Sequence, residues 1–171
     1  DEDIKKGITT IELKGRLQEL HSGKLKDISG QNRLIIDGGH NESSSISISN
    51  WIKQQQQDAH LICGMMKDKE RYEFMKHFKG IVKSITLIDI PNQDGSISKE
   101  EFNEKLSDLK ININLSQSIE DAVKLNSKHQ DSICLIASSS GMHTSVTLLS
   151  FLPNNSASSA ADRLRQSSIV S

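Results

Sequence analysis

The sequence predicts a three-layer α/β domain built around a mostly parallel β-sheet. Two observations lead to this fold class. Short runs rich in branched apolar residues recur along the chain, and the segments between them carry apolar residues at helical spacing. Strands that alternate with helices in this way are typical of parallel strands joined by right-handed crossovers. The main predicted strands are residues 34–36, 59–65, 84–90 and 132–137.

The N-terminal segment has a weaker pattern than the rest of the chain. Residues 7–20 alternate weakly between apolar and polar side chains, which predicts an edge strand or hairpin that runs antiparallel to the sheet. Residues 21–31 contain Gly23, Ser29 and Gly30, and this composition predicts a polar connection. Both segments therefore precede the first buried strand.

The first predicted helix covers residues 42–57, the most ambiguous part of the chain. The run Ser-Ile-Ser-Ile-Ser alternates like a strand, whereas Ile48, Trp51 and Ile52 fall on one helical face. We predict a helix, because the next apolar run needs a crossover to lie parallel to the first.

The second predicted helix follows the strand at 59–65. Asp68 can cap its first turn, because a short acidic side chain accepts hydrogen bonds from the unpaired N–H groups there. Its apolar face is predicted from Tyr72, Met75 and Phe78, which recur at helical spacing.

Two more helices are predicted to begin at serines. Ser98 has Glu101 three residues later, which is the pattern of a capping box. A short strand at residues 111–114 then leads to a helix from Ser118 to about residue 128. With the final strand at 132–137, these elements complete the predicted sheet.

The composition indicates one soluble domain and excludes some partners. The chain has 171 residues, 35% of them hydrophobic and 25% charged, with a net charge of −1 and only 4% aromatic residues. Neither a basic surface nor stacking platforms are indicated, so we expect no nucleic acid partner, and no apolar run predicts a membrane segment. Cys63 and Cys134 both fall in apolar runs, which favours buried free thiols and a cytoplasmic location.

Residues 1–152 are predicted to form the α/β domain. From Pro153 onward the composition shifts to Asn, Ser and Ala, so residues 153–171 are expected to be a tail that cannot build a core of its own. The sequence does not begin with methionine, which fits a fragment of a longer polypeptide.

The stretch Asp37-Gly38-Gly39-His40-Asn41 is the main candidate for a functional site. It follows the strand at 34–36, and ligands in open α/β sheets collect beyond the carboxyl ends of the strands. The first turn of the next helix also offers N–H groups that can hold an anion. The alternative is that Asp37 or Asn41 only caps this helix.

Residues 90–101 nearly match a calcium-binding loop but are not predicted to bind calcium. Asn92 and Asp94 are in the expected places, but Ile90 stands where the first acidic ligand belongs and Pro91 follows it. The preceding segment is a predicted strand, whereas the motif needs a helix. None of the six histidines forms a His-x-x-x-His pair, so no zinc site is indicated either.

Three short motifs occur in order along the chain. They are Gly15-Arg16-Leu17-Gln18, Asp37-Gly38-Gly39-His40-Asn41 and Gly64-Met65-Met66-Lys67-Asp68-Lys69-Glu70. They resemble Pro-Gly-Arg, Asp-Gly-Ala-His-Asn-Pro and Gly-Met-x-x-Asp-Lys-Asp in the C-terminal domain of folylpolyglutamate synthase and dihydrofolate synthase, within the Mur ligase superfamily. The resemblance covers roughly residues 7–150 and implies a Rossmann-like three-layer fold.

The resemblance implies an ATP-dependent amide ligase. In that family the carboxylate of dihydropteroate or folate takes the γ-phosphate of ATP, and the amine of L-glutamate then attacks the acyl phosphate. By similarity Arg16 would contact the ATP phosphates, Asp37 would accept hydrogen bonds from the ribose, and Asn41 would lie at the same nucleotide site. His40, the candidate catalytic residue, would lie near the phosphates or the incoming glutamate, and Ser138 would help to hold that glutamate.

The sequence departs from the family pattern at several places. Lys14 and Glu42 replace prolines, Gly39 replaces alanine, and Ala137 stands where the last motif has glycine. No Gly-x-x-x-x-Gly-Lys-Ser/Thr phosphate loop is present in the sequence. The phosphate loop and the Mg²⁺ ligands are therefore expected on an N-terminal ATPase domain outside this chain, and we expect a monomer.

Two alternatives stay open at this level. A non-catalytic Rossmann-like nucleotide-binding or signalling module would show the same alternation of strands and helices, and a calcium-binding regulatory module would need helices on both sides of Asp94. Each candidate residue also has a structural explanation. Arg16 could form a surface ion pair, His40 could belong only to the turn, and Ser138 could bond within a loop.

Overall fold

A computed structural model describes residues 16–138, which fold around a six-stranded sheet. The strands are β1 Gln18–Leu20, β2 Arg33–Asp37, β3 Ala59–Gly64, β4 Ser84–Leu87, β5 Ile113–Leu115 and β6 Ile133–Ser138. The helices are α1 Lys24–Ser29, α2 Glu42–Gln55, α3 Arg71–Lys76, α4 Lys99–Lys105 and α5 Ile119–Asn126, with a short 3-10 helix at Ser107–Leu109.

The sheet has the strand order β1-β2-β6-β3-β4-β5. β1 pairs antiparallel with β2, and the other neighbours pair in parallel. The predicted fold class and its antiparallel N-terminal edge strand are therefore confirmed. The crossover from β2 to β3 passes over β6, which lies between these two strands.

Two apolar cores lie on opposite faces of the sheet. Successive residues of a strand point to opposite faces, so Leu34 and Ile36 enter one core while Ile35 enters the other. The core around Ile35 is covered by α2, α3 and α4, whose buried side chains include Ile48, Phe74 and Phe102. The other core is covered by α1 and α5, and includes Leu25, Ala122 and Val123. The domain therefore has three layers.

Side-chain caps fix the starts of α4 and α5. Ser98 accepts a hydrogen bond from the main-chain N–H of Glu101 at 3.2 Å, and Ser118 accepts one from Asp121 at 3.1 Å. Both bonds satisfy N–H groups that have no partner within their helix. The predicted starts at these two serines are confirmed, as is the helix in residues 42–57.

Two local predictions were wrong. Residues 21–31 are not only a polar connection, because they contain α1, which buries Leu25 and has Lys26 Nζ bonded to the carbonyl of Gly30 at 2.7 Å. A six-residue helix is too short to show a clear period in sequence. Helix α3 begins at Arg71, and Asp68 does not cap it but pairs with Lys69.

The two cysteines and the helices also bear on expectations from the sequence within residues 16–138. Cys63 and Cys134 are buried free thiols whose side chains belong to opposite cores. No helix in residues 16–138 is both long and apolar enough to cross a bilayer. The predicted tail at 153–171 and the motif residue Gly15 lie outside the described residues.

Candidate ligand site at the carboxyl edge of the sheet

Asp37 is the centre of the candidate site. It ends β2 and is only 3% exposed, and each of its carboxylate oxygens accepts a main-chain hydrogen bond. Oδ2 accepts from the N–H of Leu17 at 2.8 Å, and Oδ1 accepts from the N–H of Gly39 at 2.6 Å. Asp37 therefore does not cap α2. It joins the segment before β1 to the turn after β2.

Arg16 lies beside this buried carboxylate. Its Nη1 is 3.9 Å from Asp37 Oδ1, which is an ion-pair distance and too long for a hydrogen bond. The Arg16 side chain is 56% exposed, so its guanidinium faces solvent at the edge of the sheet. A guanidinium in this position can donate to a phosphate or a carboxylate in a bidentate arrangement.

Asn41 is the residue that caps α2. Its Oδ1 accepts a hydrogen bond from the N–H of Ser44 at 2.9 Å, and Ser44 Oγ accepts one from the N–H of Asn41 at 3.1 Å. This reciprocal pair is a capping box. Asn41 therefore caps α2, and its side-chain oxygen accepts a hydrogen bond from the helix.

His40 is partly exposed in the turn between Asp37 and α2. Its Nδ1 lies 3.1 Å from the carbonyl oxygen of Gly38. Because a carbonyl only accepts, Nδ1 donates in this contact, and in the neutral ring Nε2 is then an acceptor. In the neutral ring, Nε2 is thus the nitrogen that can accept a proton.

Gly39 allows the turn to close tightly on Asp37 and α2. A Cβ at this position would lie 2.6 Å from Asp37 Oδ1 and 2.6 Å from Ser44 Cβ. Contacts this short force neighbouring atoms to move. Glycine at this place, where the sequence departs from the alanine of the resembling motif, therefore lets the turn pack this closely.

The turn between β3 and α3 is the second turn at the carboxyl edge of the sheet. The N–H of Lys67 donates to the carbonyl of Gly95 at 2.8 Å, and the N–H of Ile97 donates to Met65 at 3.0 Å. Arg71 Nη1 donates to the carbonyls of Met66 and Lys67. This turn is thus held by the loop after β4 and by the first residue of α3.

Ion pairs connect the helices that follow the two turns. The pKa of the Asp68 carboxyl, in the second turn, lies below its ordinary value mainly because Lys69 donates a hydrogen bond to it. Glu42, in the first turn of α2, contacts Lys76 Nζ at 2.8 Å and His77 Nε2 at 3.1 Å. The start of α2 is therefore fixed to the end of α3.

Ser138 reaches the same edge from the neighbouring strand. In the sheet register Asp37 pairs with Ala137, and Gly64 pairs with Ser138. The carboxyl ends of β2, β6 and β3 are therefore level with one another. All five residues predicted from the sequence lie at this edge, and a direct contact joins Arg16 to Asp37.

Some contributors were not predicted. Arg71 and the segment around Gly95 hold the second turn, and the N–H of Leu17 holds Asp37. Arg71 follows the third motif directly, which was an available signal, whereas a main-chain donor twenty residues away from Asp37 leaves no trace in a sequence.

Residues 90–101, which nearly match a calcium-binding loop, support the turn after β3. The segment before it is the strand β4, and Ile90 is buried in the position of the first ligand. Gly95 and Ile97 bond to the turn after β3. Among residues 16–138 no three His, Cys, Asp or Glu side chains are grouped to hold a metal ion.

Comparison with known proteins gives matches at the level of structure. No family model matches the sequence, and no curated protein matches it. The bifunctional folylpolyglutamate synthase/dihydrofolate synthase of Yersinia pestis, complexed with AMPPNP and a manganese ion, superposes with a TM-score of 0.67 at 20% identity over 88% of this chain and 34% of that one. The folylpolyglutamate synthase of Mycobacterium tuberculosis, complexed with ADP and AMPPCP, superposes with a TM-score of 0.71 at 11% identity over 90% of this chain and 36% of that one. The folylpolyglutamate synthase of Thermotoga maritima superposes with a TM-score of 0.61 at 16% identity over 80% of this chain and 30% of that one.

The chain thus spans about a third of the length of the solved structures that it matches. The matched third is their C-terminal domain. At these identities the likeness establishes that this chain shares the fold of that domain, and no more than the fold. The resemblance predicted from the three motifs is therefore confirmed at the level of the fold.

Proposed function

We propose that this chain is the C-terminal domain of an ATP-dependent amide ligase that adds L-glutamate to dihydropteroate or folate through an acyl phosphate. The observation that carries the proposal is the collection of Arg16, Asp37, His40, Asn41 and Ser138 at one edge of a sheet with the fold of such ligases. A relative with this fold has Mn, AMPPNP and L-glutamate bound, which supports the same class of ligands here.

The nucleotide end of the proposed site is formed by Arg16, Asp37 and Asn41. The exposed guanidinium of Arg16 is suited to bind phosphate oxygens, and bound ATP supplies the phosphoryl group that activates the acceptor carboxylate. Asp37 and Asn41 hold the backbone on either side of the turn, next to where the ribose would lie. Without activation, carboxylate and amine do not condense in water.

The glutamate end is formed by His40 and Ser138. Nε2 of His40 is the proposed acceptor for the proton that the amine loses as it attacks, and the hydroxyl of Ser138 is proposed to bind glutamate from the end of β6. The described residues offer no acidic cluster that fits Mg²⁺. We therefore assign the Mg²⁺ ligands and the phosphate loop to an N-terminal domain.

The test is to join the chain covalently to the P-loop ATPase domain of a folate ligase. The joined protein should form ADP and incorporate glutamate into folate or dihydropteroate, and replacing the lysine of the phosphate loop should abolish both activities. The 171-residue chain alone should melt cooperatively and release no phosphate above background. Robust ATP turnover by the chain alone would contradict the proposal.

A non-catalytic nucleotide-binding or signalling module is the second candidate. It is favoured by the fact that both oxygens of Asp37 are already bonded within the chain. In that case the joined protein would bind ATP with Arg16 in contact but would form neither ADP nor glutamyl product. Isothermal titration with ATP, alongside the ligation assay, separates the two functions.

A further inference from the structure

We propose that Asp37 is a positioning residue for Arg16, holding the Arg16–Leu17 segment against the turn after β2 so that the guanidinium stays at the carboxyl edge of the sheet. The ligand expected there, a phosphate-bearing nucleotide, rests on the proposed function. The positioning role rests on the contacts of Asp37 alone.

The hydrogen bond from Leu17 is the first step in the argument. Its N–H belongs to the peptide unit that joins Arg16 to Leu17, so the 2.8 Å bond to Asp37 Oδ2 fixes the main chain directly after Arg16. Leu17 has a φ of 42°, a left-handed conformation that residues with a branched side chain rarely adopt. Such a conformation persists where surrounding contacts hold it, and Asp37 provides this contact.

The bond from Gly39 is the second step. It fixes the other oxygen of the same carboxylate to the turn, at 2.6 Å, and the packing of Gly39 against Ser44 fixes that turn to α2. One buried carboxylate therefore connects two segments that are twenty positions apart in sequence. A movement of either segment changes the position of Arg16 relative to the edge of the sheet.

Exposure separates the roles of the two side chains. Asp37 is 3% exposed and its oxygens face main-chain N–H groups, whereas Arg16 is 56% exposed and lies 3.9 Å from the carboxylate. An anion that arrives from solvent meets the guanidinium and not the carboxylate. When Arg16 turns toward such a ligand, Asp37 keeps both of its hydrogen bonds, so the movement does not leave a buried charge without a partner.

Amide hydrogen exchange of the 171-residue chain tests this role directly. In Asp37→Asn the side chain keeps its shape but has one acceptor oxygen in place of two, so the amide of Leu17 or Gly39 should exchange roughly ten- to a hundredfold faster. Buried amides of β3, such as that of Ile62, should not change. Unchanged exchange at both Leu17 and Gly39 would overturn the proposal.

Arg16→Ala is the matched control, because it removes the guanidinium and leaves Asp37 and its two donors in place. We expect the protection of Leu17 and Gly39 to stay as in the unaltered chain. Faster exchange at these amides in Arg16→Ala would mean that Arg16 holds Asp37, and this would reverse the proposed direction. Hydrogen exchange of Arg16→Ala therefore tests the proposal even if Asp37→Asn does not fold.

A double-mutant cycle in the joined ligase distinguishes positioning from general destabilisation. Arg16→Ala and Asp37→Asn should each raise the KM for ATP roughly ten- to a hundredfold, and the double variant should raise it no further than Arg16→Ala alone. Additive effects would contradict the positioning role. If the unaltered joined protein has no ligase activity, the proposed function fails, and hydrogen exchange still decides the role of Asp37.

Discussion

Lys99 and Asp89 contact each other twice at the start of α4. The ammonium of Lys99 lies 2.7 Å from Asp89 Oδ2, and the main-chain N–H of Lys99 donates to Oδ1 at 2.8 Å. Lys99 is only 6% exposed, which is rare for lysine, and Glu100 is its second acidic neighbour at 3.4 Å. Asp89 thereby fixes α4 to the chain that leaves β4.

Asp89→Ala should lower the melting temperature by several degrees. The change removes the main partner of a buried ammonium and the acceptor of the first N–H of α4. Asp94→Ala is the matched control, because Asp94 is an exposed acid in the same loop. Thermal unfolding followed by circular dichroism measures both variants, and an equal melting temperature for Asp89→Ala and the unaltered chain would refute this role.

The same carboxylate should contribute to acid sensitivity. Burial raises the pKa of Asp89, but the hydrogen bonds from the Lys99 side chain and main chain outweigh it, and the pKa lies below its ordinary value. Its stabilising contribution is therefore present above about pH 4, the pKa in the unfolded chain, and is lost as the pH falls through the lower native pKa. In Asp89→Asn the free energy of unfolding should therefore fall less steeply than in the unaltered chain as the pH decreases below about 4.

His60 should make stability depend on pH near neutrality. It is buried at the start of β3, with Nδ1 2.8 Å from Ser84 Oγ and its ring stacked on His129 at 4.4 Å between centroids. Burial lowers the pKa of His60, and the charge of His129 lowers it further, while Asp58 acts in the opposite sense and Lys83 in the same sense. Between about pH 6.5, the pKa in the unfolded chain, and the lower native pKa, the unfolded chain therefore binds more protons than the native chain.

The expected result is a fall in the denaturant midpoint as the pH decreases from 6.5 toward the native pKa of His60, with full stability above that window. His60→Gln should flatten this dependence. His129→Gln should retain most of it, because burial is the larger cause. An unchanged pH profile in His60→Gln would assign the dependence to other groups.

Thr86→Val should stabilise the fold by about 1 kcal/mol. Thr86 lies opposite Ile62 in the sheet, and its Oγ1 is buried without a hydrogen-bond partner in the described structure. Valine has nearly the same shape and no hydroxyl to desolvate. Ser84→Ala is the contrasting variant, because that hydroxyl bonds to His60 and its loss should destabilise. Urea unfolding compares them, and destabilisation by Thr86→Val would show that Oγ1 has a partner.

Gly39→Ala should destabilise the chain by roughly 1–3 kcal/mol. The added Cβ would lie 2.6 Å from Ser44 Cβ, and that atom cannot move without shifting the start of α2. Gly38→Ala is the matched control, because Gly38 is exposed in the same turn and does not have a positive φ. Equal denaturant midpoints for the two variants would show that the turn relaxes without cost.

In the joined ligase, variants at the nucleotide end and at the glutamate end of the site should differ in which substrate they affect. Arg16→Ala and Asp37→Ala should raise the KM for ATP roughly ten- to a hundredfold, since a charged hydrogen bond to a ligand is lost or misplaced. His40→Ala and Ser138→Ala should affect the use of glutamate more than that of ATP. Glutamate titrations at saturating ATP decide this, and normal glutamate dependence in both variants would remove them from the site.

The elements of this fold could be predicted because local chemistry specifies them. Runs such as Leu34-Ile35-Ile36 can only be buried strands here, and Ser98 and Ser118 mark helix starts through bonds to N–H groups three residues away. The strand order could not be predicted, because an apolar run does not record its neighbours. Nothing in residues 132–137 indicates that β6 lies between β2 and β3.

The site was predictable to a similar extent. A shared sheet edge follows from strand ends, so Asp37 and Ser138 could be placed together. The contacts of Asp37 could not, because its partner is the main-chain N–H of Leu17, and every residue type but proline has such a group. The capping role of Asn41 was one of two alternatives until the position of Ser44 decided it.

The position of β6 determines the order in which the chain can fold. β6 pairs with β2 on one side and β3 on the other, and residues 33 and 133 are direct partners although one hundred positions separate them. Until β6 is in place, the pair β1-β2 and the group β3-β4-β5 are two sheet fragments with unpaired apolar edges. Such long-range pairing is slow, and exposed edges favour aggregation. On the ribosome, the carboxyl edge that carries Asp37 and Ser138 therefore forms only after nearly all of residues 16–138 have been synthesised.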